Sequence, residues 1–155
     1  MNELLFFSSP FAAPVLSEGV TVGIGVLFGL IWSRRTGWSC GGLVTPGLLA
    51  LHAGSPYRIA MALALGGLLA APLGTLSHAL GLYGRERVGA AMLLALAVRL
   101  VLAPFVPVPF WIGWVVPGLV AADAQRQGVS MTLCGALSCA VATAFATDLI
   151  RGLSG

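Results

Sequence analysis

The chain of 155 residues is 58% hydrophobic and only 8% charged, and its mean hydropathy is +0.98. Because a soluble domain carries about 25% charged residues, this composition excludes a soluble globular protein and predicts an all-α integral membrane protein. The net charge of +3 comes from eight Arg and no Lys against five acidic residues, and this weak basic balance does not indicate a nucleic-acid-binding surface.

An N-terminal lead and six apolar segments follow one another along the chain. The lead, residues 1–18, is too polar and too broken by proline to span a bilayer, and it lacks the positive start of a signal peptide. We therefore expect the lead to lie at the membrane interface. A straight membrane span takes about 20 residues, so the second and fifth segments are short. The six segments are 19–33, 39–53, 57–81, 88–106, 108–123 and 129–149.

The two short segments carry nearly the same phrase. Residues 42–48 read GLVTPGL and residues 113–119 read GWVVPGL, with five of seven positions identical at an offset of 71 residues. A Pro-Gly pair breaks a helix because proline removes a backbone donor and glycine tolerates unusual dihedral angles. In lipid, a broken helix survives only where protein or a watery cavity satisfies the freed backbone groups, so the two phrases indicate a functional region. The broken-helix residues are Gly42, Pro46, Gly47, Gly113, Pro117 and Gly118.

The placement of the arginines bears on the number of membrane crossings. If all six segments cross, five arginines lie on one side and two on the other, whereas re-entry of the two short segments gives four against three. The positive-inside bias favours six crossings with the five arginines in the cytoplasm. Each half then has three spans, so the chain forms two inverted membrane repeats, 19–82 and 88–155, joined by a basic cytoplasmic loop, 83–87. The five arginines are Arg34, Arg35, Arg85, Arg87 and Arg126.

Three polar residues are candidates for a site within the membrane. Arg99 lies in the fourth segment, where a charge is costly and usually faces the interior of a bundle or a wet path; its alternative is to snorkel to the nearer interface. Its candidate partners are Asp123 and Asp148. Asp123 follows the second Pro-Gly phrase at the position that His52 occupies after the first. The two residues therefore indicate equivalent sites, or they mark the water boundary.

The loop between the two repeats is short, basic and aromatic. Tyr83, Arg85 and Arg87 either anchor the topology or, together with Arg126, form a docking site for a soluble cytoplasmic partner. The sequence contains no P-loop, G-x-S-x-G or H-E-x-x-H motif and no cluster of metal ligands. We therefore predict no metal site and no cofactor on this chain, and its motifs identify no catalytic residue. Any energy-driven chemistry needs a second polypeptide that supplies the nucleotide site.

Three phrases in this order resemble the poly-γ-glutamate biosynthesis protein C family. This is the small membrane subunit, CapC or PgsC, of capsule-type poly-γ-glutamate synthase. The phrases are TGWSCGGLVTPGLLAL at 36–51, LYGRERVGAAML at 82–93 and GWVVPGLVAADAQRQGVSMT at 113–132. The resemblance covers about residues 19–150.

The resemblance implies a subunit of an ATP-dependent amide-ligase complex in the bacterial plasma membrane. It implies that ATP and Mg²⁺ bind to a Mur-ligase-like B subunit, which forms the γ-glutamyl bonds. Further partners would be an A subunit with a large external domain, a small E-type subunit and the polymer itself.

Our hypothesis is that the chain holds the ligase at the membrane and helps the polymer to cross. Poly-γ-glutamate carries one carboxylate per residue, so its path needs cationic or donor groups such as Arg99 and the freed N–H groups of the broken segments. One alternative is an independent small transporter or channel, and another is a purely structural membrane anchor.

Overall fold

The computed structural model describes residues 12–105, 113 and 115–154, and these residues form α-helices and connecting loops without a β-strand. This confirms the all-α class. The first eleven residues of the predicted interfacial lead lie outside the described part of the chain. The helices are α1 (Ala12–Thr36), α2 (Thr45–Leu51), α3 (Pro56–Leu80), α4 (Arg85–Leu102), α5 (Val115–Gln127) and α6 (Val129–Ser154).

Two of the described helices are long and apolar enough to cross a membrane. They are Pro56–Leu80 and Val129–Leu153, each of 25 residues, with mean hydropathies of 1.9 and 1.7. Large apolar side chains cover the outside of the bundle, including Leu68 on α3 and Phe145 on α6, which are 72% and 73% exposed. An exterior this apolar is typical of a surface covered by lipid or by another protein.

The interior of the bundle consists largely of small and hydroxylated residues. Each of two buried threonines on α6 donates a hydrogen bond to the carbonyl one turn earlier, Thr143 to Cys139 at 2.7 Å and Thr147 to Thr143 at 2.8 Å. These hydroxyls are therefore satisfied without a partner on another helix. Small interior residues let the helix backbones approach closely. The buried polar residues are Thr21, Thr45, Ser77, Thr132, Thr143 and Thr147.

The two Pro-Gly phrases begin short helices instead of interrupting long ones. Pro46 is the second residue of α2 and Pro117 is the third residue of α5. Proline is tolerated in the first helical turn because the N–H groups there have no partner within the helix. Each phrase also starts with a glycine in the left-handed region, Gly42 at φ 96° and Gly113 at φ 84°. The break in the second segment is therefore the non-helical stretch before Thr45.

Glycines set the closest helix contacts. A Cβ atom added at Gly25 on α1 would lie 2.4 Å from the Cα atom of Gly47 on α2, so the two backbones touch. A Cβ atom at Gly66 on α3 would lie 2.7 Å from the Cβ atom of Val120 on α5. The packed pairs are α1 with α2 and α6, α4 with α5 and α3, α3 with α5 and α6, α6 with α2 and α5, and α2 with α5.

The helix ends meet at two opposite ends of the bundle. At the first, the C-terminal turn of α1 lies beside the C-terminal turn of α5, which also contacts the start of α4. We call this the Asp123 end. At the second, Thr21 of α1 lies beside the C-terminal residues of α2 and of α6. We call this the His52 end.

Candidate functional site at the Asp123 end

The side chain of Gln127, at the end of α5, makes hydrogen bonds to the backbone of the non-helical stretch 37–44. The backbone N–H of Ser39 donates to Oε1 of Gln127 at 2.8 Å, and Nε2 of Gln127 donates to the Ser39 carbonyl. The same Nε2 atom donates to Oγ1 of Thr132 at 2.9 Å, and that hydroxyl donates to the carbonyl of Gly128 at 2.9 Å. Gln127 thus supplies to Ser39 the backbone partners that an ordered, part-buried loop needs.

Asp123 belongs to this same network. Its Oδ2 atom accepts a hydrogen bond from Oγ of Ser39, a residue 84 positions earlier in the chain. Asp123 is half-buried and lies one helical turn before Gln127, so both side chains reach the same loop residue. The site is therefore built from the first Pro-Gly segment and the end of the second.

A cleft of about 630 Å³ opens on one side of Asp123. Its walls come from the last turn of α1, the start of the 37–44 stretch and the end of α5. They present the hydroxyl of Ser33, the exposed ring of Trp38, and the side chains of Asp123 and Arg126. A volume in the range of about 300–1,000 Å³ is typical of small-molecule sites.

A second cleft, of about 470 Å³, opens on the other side of Asp123. Its charged lining residues are Arg85, Arg87, Arg126 and Asp123, so three arginines and one acidic residue border this cleft. Arg87 is half-buried, and its Nε atom is buried without a hydrogen-bond partner in the described structure. A buried donor without an acceptor is energetically costly. The surplus of arginines over acidic residues in the lining suits an oxyanion.

The predicted docking residues lie at this end of the molecule. Arg85, Arg87 and Arg126 line the second cleft, and Tyr83 is 74% exposed in the turn just before α4. Arg34 and Arg35 lie in the last turn of α1, next to residues of the first cleft. The five arginines that the sequence analysis assigned to one side therefore lie at one end of the bundle.

His52 lies at the opposite end, so the structure does not bring it to Asp123. Its Nδ1 atom lies 2.9 Å from the carbonyl of Leu48, and it follows the last residue of α2. Its neighbours in sequence line a cleft of about 260 Å³ that also contains Asp148 and Arg151. The two equivalent positions after the Pro-Gly phrases thus face opposite ends of the bundle.

Arg99 is also remote from Asp123. It lies in the last turn of α4, about 21 Å along the helix axis from Arg85, which lines the second cleft beside Asp123. No hydrogen bond or ion pair within the described residues involves its half-buried side chain. Asp123 is therefore not its partner, and Arg99 lies within one turn of a helix end.

The broken-helix residues have a packing role in the structure. Pro46, Gly47, Pro117 and Gly118 are buried. A Cβ atom added at Gly118 would lie 3.1 Å from the Cα atom of Met92 on α4. Gly47 makes the equivalent close contact with the backbone of α1 in the first half of the chain. In the part of the chain that the structure describes, no three His, Cys, Asp or Glu side chains converge as metal ligands would.

Sequence reasoning singled out Asp123 but missed Ser39, Gln127 and Thr132. Ser39 lies in the loop before the first Pro-Gly phrase and Gln127 at the end of α5, 88 residues apart. Both belong to the phrases quoted above, TGWSCGG and DAQRQG. The sequence did contain an indication of this contact. Ser39 precedes the first Pro-Gly phrase and Gln127 follows the second, and polar side chains at such positions can pair with the freed backbone groups.

The fold and the site define a small all-helical protein with two helices of membrane-spanning length and composition and an arginine-lined polar end. The chain belongs to the CapC family of capsule biosynthesis proteins, because the family model described as Capsule biosynthesis CapC matches residues 24–133. The matched region contains both Pro-Gly phrases, the 83–87 loop and the network around Asp123.

Two curated relatives support this membership. The chain is 34% identical over 123 residues to the capsule biosynthesis protein CapC of Bacillus anthracis, across 74% of this chain and 82% of the relative. It is 35% identical over 118 residues to the PGA biosynthesis protein CapC of Bacillus subtilis (strain 168), across 70% and 78%. No solved structure matches the chain. The family links the chain to capsule polymer biosynthesis.

Proposed function

We propose that this chain is the membrane-embedded subunit of a poly-γ-glutamate synthase complex. It holds the ATP-dependent ligase subunit at the membrane and helps the polymer to cross. The observation that carries the proposal is the combination of CapC family membership with five arginines and two adjoining clefts at one end of an apolar bundle. In this proposal the chain performs no bond formation itself.

The proposed topology has six membrane crossings arranged as two inverted repeats. Its support comes from the packing pattern: α1 packs on α2 and α6, and α4 packs on α5 and α3. If α1, α2 and α3 are exchanged with α4, α5 and α6, the pairs α1–α2 and α1–α6 become the pairs α4–α5 and α4–α3. The opposite positions of Asp123 and His52 agree with an inverted relation, since equivalent residues of inverted repeats face opposite sides.

The Asp123 end is the cytoplasmic end in this proposal. Five of the eight arginines lie there, and the positive-inside bias places such an excess in the cytoplasm. Tyr83 and Arg85 are exposed at this end and form the docking surface for a Mur-ligase-like B subunit. ATP and Mg²⁺ bind to that subunit, while an A subunit with an external domain and a small E-type subunit complete the complex in the bacterial plasma membrane.

Export of the polymer needs a polar route from the Asp123 end to the His52 end. A polymer with one carboxylate per residue cannot enter lipid unaided, because an unpaired charge in hydrocarbon costs several kcal/mol or more. The route that we propose begins at Asp123, follows the two Pro-Gly segments and leaves near His52 and Arg99. Arg99, in the last turn of α4, supplies a positive charge at the exit.

The deciding experiment is isolation of the chain from its native membrane in mild detergent. The co-purifying proteins are identified, and ATP, Mg²⁺ and labelled glutamate are then supplied. We expect a Mur-ligase-like partner and labelled polymer that resists α-peptidases. Absence of both, with ion or substrate flux by the purified chain alone in liposomes, would favour an independent transporter. Polymer synthesis that survives replacement of both Pro-Gly phrases and Arg99 would favour a purely structural anchor.

A further inference from the structure

The two clefts of the Asp123 end share Asp123 and Arg126, and therefore adjoin around the C-terminal turn of α5. We infer that they form one groove that binds a γ-linked glutamate chain. The arginine-lined cleft binds the carboxylates and the cleft beside Trp38 binds the amide backbone. The identity of the ligand rests on the proposed function, whereas the preference of the groove for an oxyanion follows from its lining.

Charge is the first argument for this assignment. Arg85, Arg87 and Arg126 line the second cleft, and Asp123 is the one acidic residue among its lining residues. The Asp123 carboxylate is engaged by Ser39 on the other side of α5. The lining residues of the second cleft therefore carry a surplus of positive charge, which suits carboxylates in bidentate or single contacts.

The state of Arg87 is the second argument. Its side chain is half-buried and its Nε atom is shielded from solvent without an acceptor in the described structure. Protein therefore encloses the part of the side chain next to Nε, which restricts the freedom of Arg87 before any ligand arrives and lowers the entropic cost of binding.

Shape is the third argument, and it favours a chain over a lipid headgroup. A single phosphate needs only the arginine-lined cleft, whereas the groove continues past Arg126 to Ser33 and Trp38. These residues offer a hydroxyl and an exposed indole ring, which suit the amide groups and methylene units of a γ-linked chain. A polymer with alternating carboxylates and amides matches both parts of the groove.

Binding of a fluorescent γ-linked decaglutamate to the full chain tests the inference. The protein is held in nanodiscs of neutral phosphatidylcholine, with Arg87→Gln and Arg126→Gln as the test variants. Arg34→Gln is the matched control, because Arg34 is an exposed arginine of the same end that lines neither cleft. We expect each test variant to bind about tenfold more weakly and the control to bind within about twofold of the parent chain. Size-exclusion profiles check folding, and exposed Arg126 keeps the test valid if Arg87→Gln does not fold.

Each of the following results would overturn the inference. Equal weakening by all three variants would mean that general surface charge binds the probe. Equal affinity for an α-linked decaglutamate would mean that charge alone is recognised. Binding to phosphatidylglycerol nanodiscs that depends on Arg87, without decaglutamate binding, would assign the cleft to a lipid headgroup. If the chain co-purifies with a ligase but binds no decaglutamate, the groove assignment is wrong and the proposed function stands. If the chain binds decaglutamate but no ligase co-purifies, only the groove assignment stands.

Discussion

Ser39 and Gln127 make the most specific long-range contact at the Asp123 end. A residue outside helix or sheet has no regular partner for its backbone N–H and carbonyl, and because Ser39 is half-buried, other protein groups must pair with them. The Gln127 amide has one donor side and one acceptor side, so a single side chain satisfies both groups of Ser39. Asp123 adds the third contact through the Ser39 hydroxyl.

Gln127→Ala is expected to destabilise the bundle by about 1–3 kcal/mol, because it leaves both backbone groups of Ser39 without a partner. The matched control is Gln125→Ala, two positions earlier on α5. The Oε1 atom of Gln125 has no partner in the described structure and its Nε2 atom makes only a 3.5 Å contact with Ser77. Thermal unfolding in detergent measures both, and an equal loss for the two variants would contradict the role given to Gln127.

Arg99→Ala is expected to abolish most surface polymer while membrane insertion and the level of the chain stay unchanged. The physical reason is the loss of the positive charge that we place at the polymer exit. Arg58→Ala is the control, because Arg58 is another half-buried arginine, in the first turn of α3 near the His52 end. Quantification of surface poly-γ-glutamate decides the matter, and a normal amount from Arg99→Ala would reduce Arg99 to an interfacial anchor.

At the scale of elements, the short helices depend on glycine. α2 has only 7 residues and lies against α1 so closely that Gly25 and Gly47 are in backbone contact. α5 makes the corresponding backbone contact with α4 through Gly118, and its Val120 side chain packs closely on Gly66 of α3. Such a short helix is not stable by itself, so tertiary packing must hold α2 in place. Backbone contact of this kind needs residues without a side chain.

Gly25→Ala is expected to cost about 1–3 kcal/mol, because the added methyl group would overlap the backbone of α2 and push the helices apart. Gly23→Ala, on the same helix, is the control, since nothing lies within 4 Å of its added Cβ atom. That variant is expected to be neutral or slightly stabilising, because alanine favours helix. The two are compared by thermal unfolding, and a tolerated Gly25→Ala would refute the close α1–α2 contact.

At the scale of the whole molecule, charge divides the bundle into two unlike ends. Five arginines gather at the Asp123 end, whereas Arg58, Arg99 and Arg151 lie toward the other. Large apolar side chains cover the surface between the two ends, including Leu27, Leu93 and Val141. This distribution suits a bilayer, with the two charged ends in the two aqueous phases.

The crossing of the second segment is tested by cysteine labelling on either side of it. Thr36→Cys and Ala53→Cys are both exposed, at the Asp123 end and the His52 end, and Cys134, the exposed native thiol, is first replaced by alanine. In intact cells we expect a membrane-impermeant maleimide to label Ala53→Cys, and to label Thr36→Cys only after permeabilisation. Labelling of both from the same side would mean that the segment re-enters and that the chain does not cross six times.

The helical class and the main segment positions could be predicted from the sequence, because apolar composition and chain breaks are local properties. The predicted third segment, 57–81, differs by one residue at each end from α3, Pro56–Leu80, whereas the fifth, 108–123, overlaps α5 only from Val115 to Asp123. The repeated phrase was visible in the same way, since a repeat needs no knowledge of packing. The resemblance carried by three phrases was enough to predict the family, which the comparisons confirmed.

The contacts between distant residues could not be predicted from the sequence and depend on the packing of the helices. Ser39, Asp123 and Gln127 come together across 84 to 88 positions, and no local pattern encodes a hydrogen bond between two packed segments. The same packing separates Arg99 from Asp123 and sends Asp123 and His52 to opposite ends of the bundle. The sequence shows which residues of each helix are polar or apolar. Which helix ends lie side by side depends on how all the helices pack together.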